Sequence, residues 1–103
     1  MKDVTKDTFN TEVGTEGIKV VKFYSTTCGP CKMLNPLIPE VEAALGIEVL
    51  NYNIEEGTEI SDAYDVMKVP QILVLKDGEE VERLIGYNPA EVMIEKLKAH
   101  IPV

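Results

Sequence analysis

Apolar residues along the chain fall into short runs with two different rhythms. Residues 18–25 hold Val20, Val21, Phe23 and Tyr24, a β-branched and aromatic run that predicts a strand. Between 31 and 45, Met33, Leu34, Leu37, Ile38, Val41 and Leu45 recur every three or four positions, the spacing of a helix with one buried stripe. Pro36 lies inside that stretch and predicts a kink, since proline lacks an N–H and its ring clashes with the preceding turn. Pro39 follows closely, and Gly46 ends the pattern. Ile47, Val49, Leu50 and Ile54 mark a second strand at 47–54. Residues 58–65 read as a short helix with Thr58 as N-cap, and 66–70 as a loop. Within 71–76, Ile72-Leu73-Val74-Leu75 is apolar throughout, as in a strand buried on both faces. Asp77-Gly78 signals a hairpin to a partner strand at 80–87, with Val81, Leu84 and Ile85 as its apolar contacts. Asn88-Pro89 opens a last helix, with Asn88 as N-cap and Pro89 at the first helical position, and Val92, Met93, Leu97 and Ile101 as its buried stripe. Near the start, Val4-Thr5 suits a short strand, 8–13 has helical character with Thr5 or Asp7 as cap, and 14–17 breaks it.

The resulting order is β-α-β-α-β-α-β-β-α. It predicts an α/β fold with a central mixed sheet of four to five strands and helices on both faces. At 103 residues, without repeats or linkers, the chain is expected to form a single domain, 1–103. Charge narrows the function classes. Ten basic and 18 acidic residues give −8, which argues against nucleic acid and against anionic membrane as partners. The simplest reading of the acidic excess, including Glu40, Glu42, Glu48, Glu55, Glu56 and Glu59, is a solvated surface. The first seven residues are charged and lack the apolar core of a signal peptide, and no apolar run approaches the roughly 20 residues that span a bilayer. The expected location is the cytoplasm.

In that reducing compartment the two cysteines need an explanation. Cys28 and Cys31 are three positions apart, and a purely structural disulfide closing so short a loop would stabilise little and would not persist. Cys28-Gly29-Pro30-Cys31 sits where the 18–25 strand ends and a helix begins. Backbone N–H groups and the dipole at a helix N-terminus favour an anion there, so the Cys28 thiolate is stabilised and suited to attack a disulfide. Cys31, deeper in the helix, is suited to resolve the mixed disulfide. Gly29 admits a substrate chain and Pro30 fixes the turn. Two other readings stand beside this one. A metal site needs more ligands than one Cys pair, and the single histidine, His100, is expected in the last turn of the last helix, so zinc or an iron–sulfur cluster would require a dimer sharing two pairs. The other is a pair of inert buried thiols.

The arrangement resembles the thioredoxin family along nearly the whole chain. Val21-Lys22-Phe23-Tyr24 leading to Cys28-Gly29-Pro30-Cys31-Lys32-Met33 and Pro36 is similar to that family's active-site strand and kinked helix. Asn53-Ile54-Glu55, Val69-Pro70, Lys76-Asp77-Gly78-Glu79 and Gly86 match its later landmarks. The resemblance implies a thioredoxin fold and a thiol–disulfide oxidoreductase with no bound cofactor, its redox centre being a reversible Cys28–Cys31 disulfide. It implies disulfide-containing protein substrates and a flavoprotein reductase as electron source; a monomer is expected. Pro70 would be cis and lie against the cysteines, and the Val69 main chain would pair with an extended substrate strand. By themselves the residues Val69-Pro70 predict only a strand start or edge. Thr27 and Gly86 would border the substrate, Gly86 by leaving room beside Cys28; the alternative for Gly86 is a β-bulge.

The chain also departs from the family pattern. Lys22 stands where the family usually has a buried Asp that handles the proton of the inner cysteine. Desolvated, Lys22 would lose its proton and act as a base; charged, it would favour thiolate; snorkelling to solvent, it would do neither. Asn51 replaces the family's usual Lys on the neighbouring strand, Thr27 and Tyr24 replace two tryptophans, and the chain has no Trp at all. Lys32 is a second, solvent-screened influence on the thiols. Gln71 after the proline resembles glutaredoxins, whereas the Cys-Gly-Pro-Cys turn and the lack of an evident basic glutathione clamp do not. The expectation is a general protein-disulfide reductase. A glutathione-coupled reductase and a non-catalytic binding module on the same fold are the alternatives.

Overall fold

The most apolar segments of the sequence occupy the middle of a five-stranded sheet. The computed structural model describes residues 1–101; residues 102 and 103, the end of the expected 1–103 domain, lie outside the described residues. In chain order the elements are β1 (Lys2–Val4), α1 (Phe9–Val13), β2 (Ile18–Tyr24), α2 (Gly29–Leu34), a 3-10 turn (Asn35–Leu37), α3 (Ile38–Leu45), β3 (Val49–Asn53), a second 3-10 turn (Ile54–Glu56), α4 (Thr58–Ala63), β4 (Gln71–Lys76), β5 (Glu79–Ile85) and α5 (Ala90–Lys98). The strands lie in the order β1-β3-β2-β4-β5. β1 and β2 flank β3 in parallel, while β4 runs antiparallel to both β2 and β5. The expected mixed α/β sheet is thus present, and among the described residues no helix is long and apolar enough to cross a membrane.

Side chains alternate across a strand, so a strand covered on both faces feeds two cores. Val20, Ile72, Val74 and Leu84 pack with Leu34, Ile38 and Val41 and with Met93 and Leu97 of α5. On the opposite face, Val21, Phe23, Tyr52, Leu73 and Leu75 meet Phe9 and Val13 of α1, with Ile60 and Tyr64 packed alongside. Phe9 is the hub there, edge-on to Tyr52 at 5.4 Å between ring centroids.

Several boundaries differ from the sequence expectation, for local reasons. The 31–45 helix begins instead at Gly29 and is interrupted at 35–37. Pro36 and Pro39 each take a first-turn position, one in the 3-10 turn and one in α3, where a missing N–H costs nothing. Gly46 closes α3 with φ of 65°, a left-handed conformation that only glycine adopts cheaply. The first strand is Lys2–Val4 rather than residues 4–5, because parallel pairing with Leu50, Asn51 and Tyr52 sets its register. Thr8 occupies the N-cap position of α1, with Thr5 and Thr8 exchanging backbone-to-hydroxyl hydrogen bonds just before it. Gly57, not Thr58, is the N-cap of α4, and Pro89, not Asn88, that of α5. The last helix ends at Lys98, so His100 lies beyond its last turn, with Nε2 3.2 Å from Glu82 Oε1. The Asp77-Gly78 hairpin forms with φ of 53° and 87°, the two positive values of a type I′ turn. The β-bulge is at Val81, where Val74 pairs with Glu82 and Leu75 with Glu80; Gly86 is not a bulge.

Candidate active site

β2, the central strand, delivers the chain to one end of the sheet, and a four-residue turn leads it into α2. The turn is braced from below. Glu55 Oε1 accepts from the Thr26 N–H at 2.6 Å and from its hydroxyl at 2.7 Å, which holds the Glu55 carboxyl below its usual range. Glu55, expected to be plain solvated surface, therefore anchors the approach to the cysteines; its place in the Asn53-Ile54-Glu55 motif was the available signal.

Cys28 is the N-cap of α2, with extended φ and ψ of −90° and 110°. The Cys31 N–H, which has no partner within the helix, donates to Cys28 Sγ at 3.1 Å. Pro30 occupies the first turn. Cys28 and Cys31 form a disulfide with Cα atoms 5.2 Å apart. Cys31 is 1% exposed, whereas Cys28 is partly open to solvent between exposed Thr27 and Gly29. A nucleophile facing outward and a partner sulfur facing inward follow from one turn of helix.

The 66–70 loop comes up against this turn. The Val69–Pro70 peptide bond is cis, and Val69 O lies 3.6 Å from Cys28 Sγ. Pro70 O accepts from the Gly86 N–H at 2.9 Å. Gly86 has φ of 78°, and a Cβ built on it would meet nothing within 4 Å. The fold therefore gathers Cys28, Cys31, Val69, Pro70 and Gly86 at one end of the sheet. Lys32, next to Cys31 in the same helix, is exposed.

A polar row crosses β1, β3 and β2. Asp3 of β1 is registered with Asn51 of β3, Asn51 with Lys22 of β2, Lys22 with Ile72 of β4, and Ile72 with Leu84 of β5. Ile72 and Leu84 belong to the core covered by α2, α3 and α5, so Lys22 faces the same helices. Lys22 is 0% exposed, which overturns the snorkelling alternative. Its Nζ donates to Asn35 Oδ1 and to Asn51 Oδ1, the latter at 3.4 Å, and lies 5.0 Å from the Tyr24 ring centroid. Asn51 Nδ2 in turn donates to Asp3 Oδ1 at 2.9 Å. Burial pushes the Lys22 ammonium below its ordinary range, and the Asp3 carboxylate opposes that shift. Asn35, whose backbone N–H caps onto the Cys31 carbonyl, connects this amine to the active-site helix. Asp3 and Asn35 had no distinguishing signal in the sequence, because only strand register and the helix break bring them to Lys22.

Comparison with known proteins agrees with this geometry. The family model described as Thioredoxin matches residues 1–99. The thioredoxin of Listeria monocytogenes is 34% identical over 103 residues, covering 98% of this chain and 99% of that protein. The thioredoxin of Bacillus subtilis is 35% identical over 99 residues, covering 94% of each. Among solved structures, a mutant thioredoxin from Halobacterium salinarum superposes with a TM-score of 0.87 at 24% identity, over 99% of this chain and 91% of that one. A structure from work on thiol resolution in yeast mitochondrial 1-Cys peroxiredoxin superposes with a TM-score of 0.83 at 25% identity, over 96% and 94%. The chain belongs to the thioredoxin family. It has the thioredoxin fold and is a thiol–disulfide oxidoreductase of the protein-disulfide reductase type, with the reversible Cys28–Cys31 disulfide as its redox centre.

Proposed function

We propose that this protein is a general reductant of protein disulfides in the cytoplasm, in which Cys28 attacks and Cys31 resolves. The observation that carries the assignment is the Cys31 N–H aimed at Sγ of the partly exposed Cys28 while Cys31 itself is buried. In the dithiol state that N–H and the free first-turn amides stabilise thiolate at Cys28. The thiolate attacks one sulfur of a substrate disulfide; a mixed disulfide forms, and the other substrate sulfur leaves as thiolate and takes up a proton. Cys31, once deprotonated, attacks Cys28 Sγ, closes the intramolecular disulfide and releases the second substrate thiol. The substrate gains two electrons and two protons, and a flavoprotein reductase returns both to the pair.

The Val69 main chain beside Cys28 supports docking of the substrate as an extended strand, with Gly86 leaving space and Thr27 forming the rim. Lys22 is the internal group that tunes the thiols: its amine, on the sheet face beneath α2, biases the inner cysteine toward thiolate or exchanges its proton. Lys32, being exposed, contributes a weaker and salt-screened field. A glutathione-coupled reductase is disfavoured by Gln71, which is 4% exposed, with its amide committed to Lys68 O and Arg83. For the binding-module alternative, Cys28→Ser with Cys31→Ser would leave partner capture intact.

Two measurements test the assignment. Cys31→Ser is expected to trap substrate proteins as stable mixed disulfides on Cys28, and Cys28→Ser to trap none; trapping through Cys31 alone would reverse the roles. Equilibration in dithiol buffers is expected to return a potential near about −270 mV; a value of roughly −200 to −230 mV would favour the glutathione-coupled alternative.

A further inference from the structure

We infer that Arg83 is a positioning residue for protein substrates: through its guanidinium and Gln71 it holds residues 64–70 so that the Val69 main chain stays beside Cys28. The inference rests on the strand-docking reading above and adds to it the device that keeps the docking edge in place.

A guanidinium carries five N–H donors in a rigid fork. In Arg83 all five are engaged. Nε donates to Glu80 Oε2 at 2.8 Å and Nη2 to Glu80 Oε1 at 2.7 Å. Nη1 donates to Asp65 O at 2.9 Å and to Gln71 Oε1 at 3.0 Å, and the second Nη2 proton goes to Tyr64 O. The buried Gln71 side chain passes the constraint on, because its Nε2 donates to Lys68 O at 2.9 Å. Three carbonyls of one irregular segment are thereby fixed from β5, two directly and one through Gln71. The Gly86 N–H, just past the end of β5, holds the segment's far end by donating to Pro70 O.

The segment is held by packing only in part: Val66 is buried, Tyr64 and Val69 pack beside the same core, and the Val66 N–H donates to Ser61 O at 2.8 Å. It lies between α4 and β4 and belongs to neither, and Met67 at its tip is 86% exposed, so its side chain adds almost no burial. Asp65 adopts φ of 58°, an uncommon conformation for a residue other than glycine, and its carbonyl is one of those Arg83 holds. The sheet is also shaped to orient the fork. Residues three apart in a regular strand point to opposite faces. The extra residue at Val81 puts Glu80 opposite Leu75 and Arg83 opposite Leu73, two positions of β4 that share a face. The bulge thus turns the Glu80 carboxylate onto Arg83, and the pairing holds Glu80 below the usual carboxylate range. Without Val81 the carboxylate would face the other side of the sheet.

The test compares insulin, whose disulfides are flanked by chain, with a small dialkyl disulfide that has no strand to dock. Dithiothreitol regenerates the dithiol, so no reductase is required. Arg83→Met and Gln71→Leu are each expected to raise KM for insulin about five- to tenfold, the factor expected from losing one or two hydrogen bonds. kcat and the small-disulfide rate should stay within about twofold of wild type on the same reasoning, because the cysteine turn keeps its own hydrogen bonds. Amide exchange at residues 66–69 should quicken. Arg83→Lys folds under the same charge but lacks the fork, and should behave like Arg83→Met. Unchanged exchange in all three variants overturns the inference, as does a wild-type KM in Arg83→Lys, or a parallel loss on both substrates. If wild-type protein shows the same KM for insulin and the small disulfide, strand docking itself fails and the recognition role falls with it; the exchange rates then report separately whether Arg83 holds the loop.

Discussion

Lys22 shows how one residue changes the consequences of a fold without changing the fold. It is fully buried, its amine is satisfied by two asparagine carbonyls, and the nearest carboxylate in its network, Asp3, acts through Asn51. A base whose folded-state pKa is lowered binds fewer protons in the folded than in the unfolded chain. Stability then rises with pH between the depressed value and the ordinary 10.5. Tyr24, Tyr52 and Tyr64, raised by burial, oppose this around and above pH 10, since the folded chain holds those protons longer than the unfolded one and stability there falls with pH. Comparing wild type with Lys22→Met removes the tyrosine contribution. The stability of wild type relative to Lys22→Met is expected to climb through the lysine window, as read by urea unfolding at a series of pH values. A constant difference would mean that Lys22 keeps its ordinary affinity for protons. The same variant should move the alkylation pH profile of the thiols, which a purely structural lysine would leave alone.

At the scale of elements, the working parts are ends and junctions rather than helices or strands themselves. Cys28 works because it is an N-cap, Pro36 and Pro39 because each restarts a helix, and Gly86 because it leaves β5 with φ of 78°. Gly86→Ala is expected to cost about 1–2 kcal/mol in unfolding stability, since a Cβ is strained in that conformation even though space is open around it. A destabilisation well below that range would mean the backbone relaxes to negative φ. Phe23 tests the strand interior. It is buried among Phe9, Tyr52 and Tyr64, and Phe23→Ala should cost about 3–5 kcal/mol, measured by chemical denaturation. Both variants should retain the Cys28–Cys31 disulfide, because the turn that forms it is closed by its own hydrogen bonds.

For the whole molecule, charge and size set a further expectation. A net charge of −8 is carried on a body of 33 × 32 × 20 Å. Like charges at that spacing repel over a Debye length of about 30 Å at 0.01 M ionic strength and about 8 Å at 0.15 M. Thermal unfolding is therefore expected to move upward by a few degrees, to an order of magnitude, as sodium chloride is raised over that range. A fall in melting temperature would mean that the ion pairs, Lys2–Glu12 and Glu80–Arg83 among them, outweigh the repulsion.

Much of this architecture was legible in the chain because it follows from local rules. The β-branched and aromatic run at 18–25 signalled a strand, and the run at 71–76, apolar at its centre, signalled a strand buried on both faces. Asp77-Gly78 signalled a hairpin turn, and two cysteines at the mouth of a helix pointed to reactive thiols, with a shared metal site and inert thiols as the other readings. Boundaries were shifted where a cap or a proline competed with periodicity, as at Gly29, Gly57 and Pro89. What no local rule contains is register. Asp3, Asn51 and Lys22 come from three strands and share a row only because those strands pair in one alignment. Glu80 meets Arg83 only because a bulge at Val81 turns one side chain over. Hydrophobic pattern is a property of neighbours along the chain, so it determined the elements; the buried amine and the braced loop depend on partners distant along the chain, and only the packed sheet decided them.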